Sequence, residues 1–243
     1  FCNADGRLLA RGDGNLLTIQ NDGKVTQHAE VMPKLTCMAV SPDGNYVATG
    51  NDNGRVQVWK KGEIKPENRF IFSHPEPVIC LTFSQDSKLL ASGSSDNRAN
   101  VRNLENGRLE YQISHDGDVT CMAFSSNPDW FITGSDDNTI RIWHAKTGRP
   151  ASGTLIYNAT LRTIVPHPRE PLLLAGGDDN VCCIWDMLPK NTVQVRAADK
   201  MDKFLMAKDG SVFGRSGNLV KAGSTKKMQQ IFQQMKDRRF SDN

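Results

Sequence analysis

Four times along this chain a small residue and a glycine are followed, nine residues beyond the glycine, by a slot for a large side chain. The slots read Thr49-Gly50 to Trp59, Ser92-Gly93 to Arg102, Thr133-Gly134 to Trp143 and Ala175-Gly176 to Trp185. Successive glycines are 43, 41 and 42 residues apart. A period of about 40 residues marks a repeat architecture, in which each unit buries its apolar face only against its neighbours. Any residue recurring at that interval therefore reads first as scaffold.

The third unit is the best formed. After His115 come an apolar run at 119–124, a polar turn at 125–129, a second run at 130–133, the turn Gly134-Ser135-Asp136-Asp137-Asn138, and a third run at 139–143. Lys146-Thr147-Gly148-Arg149 then turns the chain toward a fourth. Short β-branched runs punctuated by Gly, Asn, Asp and Pro predict a four-stranded antiparallel meander per unit. No stretch of helical period intervenes before residue 224. Cys37, Cys80 and Cys121, spaced 43 and 41 residues apart, share one repeat position and read as small buried hydrophobes rather than metal ligands. Cys182 and Cys183 are neighbours on a strand and point to opposite faces, which suits neither shared ligation nor pairing. Free thiols favour a reducing compartment, so a cytoplasmic or nuclear location is expected.

With these residues the chain resembles the WD-repeat (WD40) β-propeller family, over at least residues 28–198 and up to 1–222. The resemblance implies an all-β propeller in which a His before the innermost strand, a Ser or Thr on the second strand, an Asp in the next turn and a Trp brace each blade by hydrogen bonds. Carried over by position, His115, Thr133, Asp137 and Trp143 match in full. His28, Thr49, Asn53 and Trp59 match with Asn in the Asp slot and a longer loop after the His. His74, Ser92 and Asp96 match, but Arg102 holds the Trp slot. In the fourth unit Asp179 and Trp185 match, Ala175 has lost the hydroxyl, and Asn158 lies near the His slot. Abbreviated units at 5–19 and 204–220 bring the count to about six visible blades, two of them partial, where the family usually has seven. Sequence outside the chain, beginning before Phe1, or strands from a partner are the two ways of completing such a ring.

Charge is unevenly spread. The net charge is +3, yet residues 199–243 hold ten Lys and Arg against five Asp and no Glu. The tail, expected as a unit of residues 223–243, carries the one helical pattern: Met228, Ile231, Phe232 and Met235 fall on a single stripe. Three roles are open for it: packing back on the propeller, docking into a partner groove through that stripe, or contacting nucleic acid through Lys226, Lys227, Lys236, Arg238 and Arg239. Arg238-Arg239-Phe240-Ser241 also matches a basophilic kinase site, a pattern common by chance. Apolar runs are far shorter than the ~18 residues of a membrane span.

Phosphate-cradling glycine loops with a lysine, HExxH helices and serine nucleophile elbows are missing from the sequence. No small-molecule substrate or cofactor is expected, and an enzyme is not. The family places its partner-gripping face on the loops before the innermost strands and between the second and third strands. Here those loops supply Lys34, Glu76, Asp118 and Leu161, then Asp52, Ser95, Asp136 and Asp178. Their acidic lean points to a basic peptide segment on another protein subunit. Arg162, assigned to the repeat position of the three cysteines, should line the channel mouth. Both it and Arg102 need a carboxylate, open water or a ligand, because an unpaired buried guanidinium is costly.

Overall fold

The computed structural model describes residues 34–60, 70–179 and 182–187, and the backbone of strands lying between 8 and 30 and between 195 and 221. Among the described residues, all the regular structure longer than one turn is β. A first, three-stranded sheet joins β1 (Leu8–Gly12), β2 (Asn15–Ile19) and β3 (Val25–Glu30). Four sheets of four strands follow. They are β4 (Leu35–Val40), β5 (Tyr46–Asn51), β6 (Arg55–Lys60) and β7 (Ile71–Ser73); β8 (Val78–Phe83), β9 (Leu89–Ser94), β10 (Arg98–Asn103) and β11 (Leu109–Ser114); β12 (Val119–Phe124), β13 (Trp130–Ser135), β14 (Thr139–His144) and β15 (Leu155–Ile156); and β16 (Leu161–Pro166), β17 (Leu172–Gly177), β18 (Cys182–Asp186) and β19 (Val195–Ala197). A last sheet joins β20 (Lys203–Met206), β21 (Val212–Ser216) and β22 (Leu219–Lys221). Every pairing is antiparallel between sequence neighbours, the meander that the turn chemistry predicts. The amphipathic tail at 223–243 lies outside the described residues.

The first strand of each four-stranded sheet packs against the first strand of the next, β4 on β8, β8 on β12 and β12 on β16. The core accordingly sits between sheets rather than within them. One cluster joins Ala48, Val56 and Val58 of one sheet to Phe83 and Leu90 of the next. Another joins Ala91 and Val101 to Phe124, Phe131 and Trp143, with the two phenylalanine rings 4.6 Å apart. Such nearest-neighbour burial explains why a repeating sequence is needed at all.

The repeating glycine has a local cause. Gly50, Gly93 and Gly134 stand opposite Cys37, Cys80 and Cys121 on the neighbouring strand. A Cβ on any of them would lie 2.7 Å from the facing sulfur, and close to Val78, Val119 or Leu161 of the following sheet. Only glycine lets the inner strands of adjacent sheets approach this closely.

Two expectations need correcting here. Each inner strand carries an irregularity just after its first residue, so that Leu35 faces Asn51 but Cys37, not Thr36, faces Gly50. In the fourth sheet Leu161 faces Gly177 and Thr163 faces Gly176. Thr163 therefore holds the cysteine position, and Arg162 holds the unpaired bulge position of Thr36, Ile79 and Thr120. The bulge residue stands out of the ladder, which frees a long side chain to reach solvent. Burial of the cysteines is also uneven: Cys121 is buried, whereas Cys37 and Cys80 are half-buried. Their thiols are nonetheless enclosed. Burial pushes Cys37 up to about 11 and Cys121 up to about 12, so neither forms a thiolate at neutral pH.

Candidate functional site

The polar bracing of each sheet starts at a tight turn. Asn97 and Asn138 adopt left-handed backbone angles, φ 65° each, and Gly54 does so at 81°. Asn and Gly tolerate that region with little strain. The turn aims the residue's carbonyl outward, where it accepts the N–H of the residue following the outer strand: His74 from Gly54, His115 from Asn97 and Tyr157 from Asn138. The three side chains are thereby delivered to one place in successive sheets.

In the third sheet His115 Nε2 meets Thr133 Oγ1 at 2.7 Å, its Nδ1 meets Asp137 Oδ2 at 3.0 Å, and Trp143 Nε1 donates to the same Thr133 hydroxyl at 2.9 Å. Burial holds the His115 pKa down, only partly opposed by Asp137. Burial alone would raise Asp137, but donors from Thr139, the Asp116 N–H and His115 bring its carboxyl down to about 2. In the second sheet His74 bonds Ser92 at 2.8 Å and Asp96 at 3.0 Å. That order of Ser, His and Asp matches a hydrolytic triad, but all three are enclosed, with Ser92 only 4% exposed, so no substrate carbonyl reaches the hydroxyl. Thr49 accepts from Trp59 Nε1 at 3.3 Å in the first sheet, and exposed Asn53 caps its turn by accepting the Arg55 N–H at 3.2 Å. His28 lies on β3 opposite Leu16, outside the described side chains.

Two of the three departures from the pattern are compensated locally. Tyr157, not Asn158, fills the His slot of the fourth sheet, and its hydroxyl donates to Asp179 at 2.8 Å. Ala175 leaves buried Trp185 Nε1 without a hydrogen-bond partner among the described residues. Arg102 lies in register with Trp59 and Trp143, facing Leu90, and does not reach Ser92. It stacks instead on Phe72, 4.4 Å from the ring centroid, a cation–π partner the sequence reading did not include.

The loops of the expected docking face are pinned in pairs. The N–H groups of Asp52, Ser95, Asp136 and Asp178 donate to the carbonyls of Lys34, Pro77, Asp118 and Thr160 at 3.0–3.1 Å. Those carbonyls identify the equivalent positions, so Glu76 stands one residue before its expected place. Leu161 is wholly buried and cannot touch a partner. Part of the acidity is neutralised in place. Asp178 takes a bidentate pair from Arg162, both contacts 2.6 Å, with the two side chains 56% and 50% exposed. Lys34 approaches Asp52 at 3.3 Å, and Arg141 reaches Asp116 at 3.2 Å and Asp137 at 3.4 Å. Asp118 and Asp136 have no ion pair among the described residues. Met228, Ile231, Phe232 and Met235 of the tail are outside those residues.

The profile of the WD domain, G-beta repeat, matches residues 22–60, 66–103, 107–144 and 153–186. The chain belongs to the WD40-repeat family. Among its relatives are a Protein LST8 homolog of Drosophila melanogaster, 31% identical over 36% of this chain and 31% of that protein. WD repeat-containing protein SL1-17 of Schistosoma mansoni is 31% identical over 43% of this chain and 36% of that one. Pre-rRNA-processing protein crb3/ipi3 of Schizosaccharomyces pombe is 32% identical over 33% and 18% respectively. The matched part of this WD40-repeat chain thus spans about a third of the first two relatives. Sequence reasoning missed Tyr157 and Thr163 in it. Counting back nineteen residues from the repeating glycine, the distance from His74 to Gly93 and from His115 to Gly134, finds the first; pairing to Gly176 finds the second.

Proposed function

We propose that this WD40-repeat protein is a non-catalytic scaffold subunit that docks a basic segment of a partner protein onto the pinned turns. The supporting observation is the carboxylate pair Asp118 and Asp136, held on hydrogen-bonded loops and in no ion pair among the described residues. The neighbouring Asp178 is already paired with Arg162, which leaves Asp118 and Asp136 as the acceptors for a partner cation. Charges preplaced in this way contribute more to partner choice and encounter rate than to affinity. Residues 1–222 are read as one propeller unit, with 223–243 as a separate basic tail, in a cytoplasmic or nuclear protein. Co-purification tests the reading: changing Asp118, Asp136 and Asp178 together to Lys removes at least one partner from the complex. An unchanged set of co-purifying proteins contradicts it.

A second reading is supported by the pre-rRNA-processing relative and by the ten basic residues at 199–243. In it the tail contacts RNA, with affinity falling steeply as salt rises. Deleting residues 224–243 abolishes RNA binding if that reading holds, and leaves it intact if the tail is not involved.

A further inference from the structure

At the opposite ends of the same strands, away from the carboxylate turns, two depressions flank the Asp129–Trp130 segment. The larger, about 440 Å³, lies between the loops entering β13 and β17 and is lined by Ser125, Asn127, Trp130, Pro168, Arg169 and Pro171, among others. The second, about 380 Å³, is lined by Asp129, His144, Lys146, Thr147 and Arg149. The walls are braced. Ser126 Oγ donates to the His167 carbonyl at 3.1 Å across the two loops, Asp129 N–H donates to Asn127 Oδ1, and Trp130 N–H to the Asn127 carbonyl.

Trp130 opens β13, as Tyr46 opens β5. Tyr46 is capped edge-on by Phe70 at 6.1 Å. One side of the half-buried Trp130 packs on the core with Ala151, and among the described residues no ring covers it. Beside it the exposed cations Lys146, Arg149 and Arg169 exceed Asp129 and Glu170 by one charge over the two linings. The site thus offers an apolar slot between an indole and two prolines, with N–H donors and positive charge along one side. That combination selects acceptors and negative charge.

We propose that this seam between the third and fourth four-stranded sheets binds an extended acidic peptide of a partner protein, with one apolar residue seated against Trp130 and flanking carboxylates on Lys146, Arg149 and Arg169. Aromatic–proline slots suit extended segments whose side chains alternate between pocket and solvent. The surface is separate from the carboxylate turns and takes the opposite charge, so the chain joins two chemically distinct segments.

The test uses a fluorescein-labelled peptide of Asp and Glu around a central Leu-Pro pair, followed by fluorescence anisotropy with the whole chain. Binding is expected, and Trp130→Ala should weaken it by about tenfold or more, the loss typical of a truncated aromatic anchor. The Arg149→Glu, Arg169→Glu double variant, altered only at exposed positions, should do the same and flatten the salt dependence. It carries the test if Trp130→Ala fails to fold. Equal binding of a peptide with Lys in place of each carboxylate would overturn the proposal, as would affinity unchanged in both variants. Displacement by polyuridylate through the same cations would assign the seam to nucleic acid instead. A dimer that Trp130→Ala dissolves would assign it to a second copy of this chain.

Discussion

At the scale of single residues, one hydroxyl organises each of the first three four-stranded sheets. Thr133 accepts from Trp143 while joined to His115, in a site where neither partner finds water. Thr133→Val leaves two buried polar atoms unpaired and should cost about 2–6 kcal/mol in urea unfolding, at ~1–3 kcal/mol per orphaned group. The converse holds at Ala175, whose side chain gives Trp185 Nε1 nothing to bond. Ala175→Ser should stabilise by about 1 kcal/mol, read as a rise in the urea midpoint. Protons act on the same network. His115 has a folded pKa below its ordinary 6.5, so the unfolded chain takes up its proton first and stability falls as pH drops below that value. Asp137, held at about 2 against an ordinary 3.8, adds a second loss as pH falls through that lower window. Urea midpoints measured from pH 8 down to the acid limit should show both steps, and Asp137→Asn should show a smaller lower one, the remainder coming from Asp43, Asp86 and Asp178. These residues were legible in the sequence because the ladder fixes their spacing. Arg102 on Phe72 was not, because that contact crosses from one sheet to the next and no spacing encodes it.

At the scale of elements, the repeating glycine records the approach of two inner strands. Gly134→Ala drives a methyl to 2.7 Å from Cys121 Sγ and 3.2 Å from Leu161, both enclosed. Overpacking of this kind costs about 1–3 kcal/mol, and thermal melting should detect it. Cys121→Ala in the same chain should return part of the loss. Strand order and the meander were readable from turn chemistry, since Gly54, Asn97 and Asn138 mark equivalent turns. The bulge was not. It recurs in every inner strand and so cancels between units: the 42-residue step from Gly134 to Gly176 carries Cys121 to Thr163 and Asp118 to Thr160. Arg162 and Leu161 were each placed one residue off, in opposite directions, and a residue expected on the docking face is instead core. Tyr157 stands nineteen residues before Gly176, as His115 stands before Gly134, but a tyrosine in a histidine slot does not match the family pattern.

At the scale of the whole molecule, sheets that bury themselves against neighbours leave two sets of strand ends free, and the chain gives them opposite character. Carboxylates stand on pinned turns at one end, while cations surround an indole at the other between the third and fourth four-stranded sheets. Among the described residues, the groups arranged as for proton transfer are sealed beneath the turns. The family and the fold follow from the repeat; the proposed partner contacts rest on a few charges that no periodicity specifies. Hydrogen–deuterium exchange on the complex purified through this chain, compared with the free chain, tests the docking claim most directly. The account predicts slowed exchange in the complex at the amides of 116–118 and 136–137. Equal exchange at those turns, free and bound, with partners still attached, would contradict it.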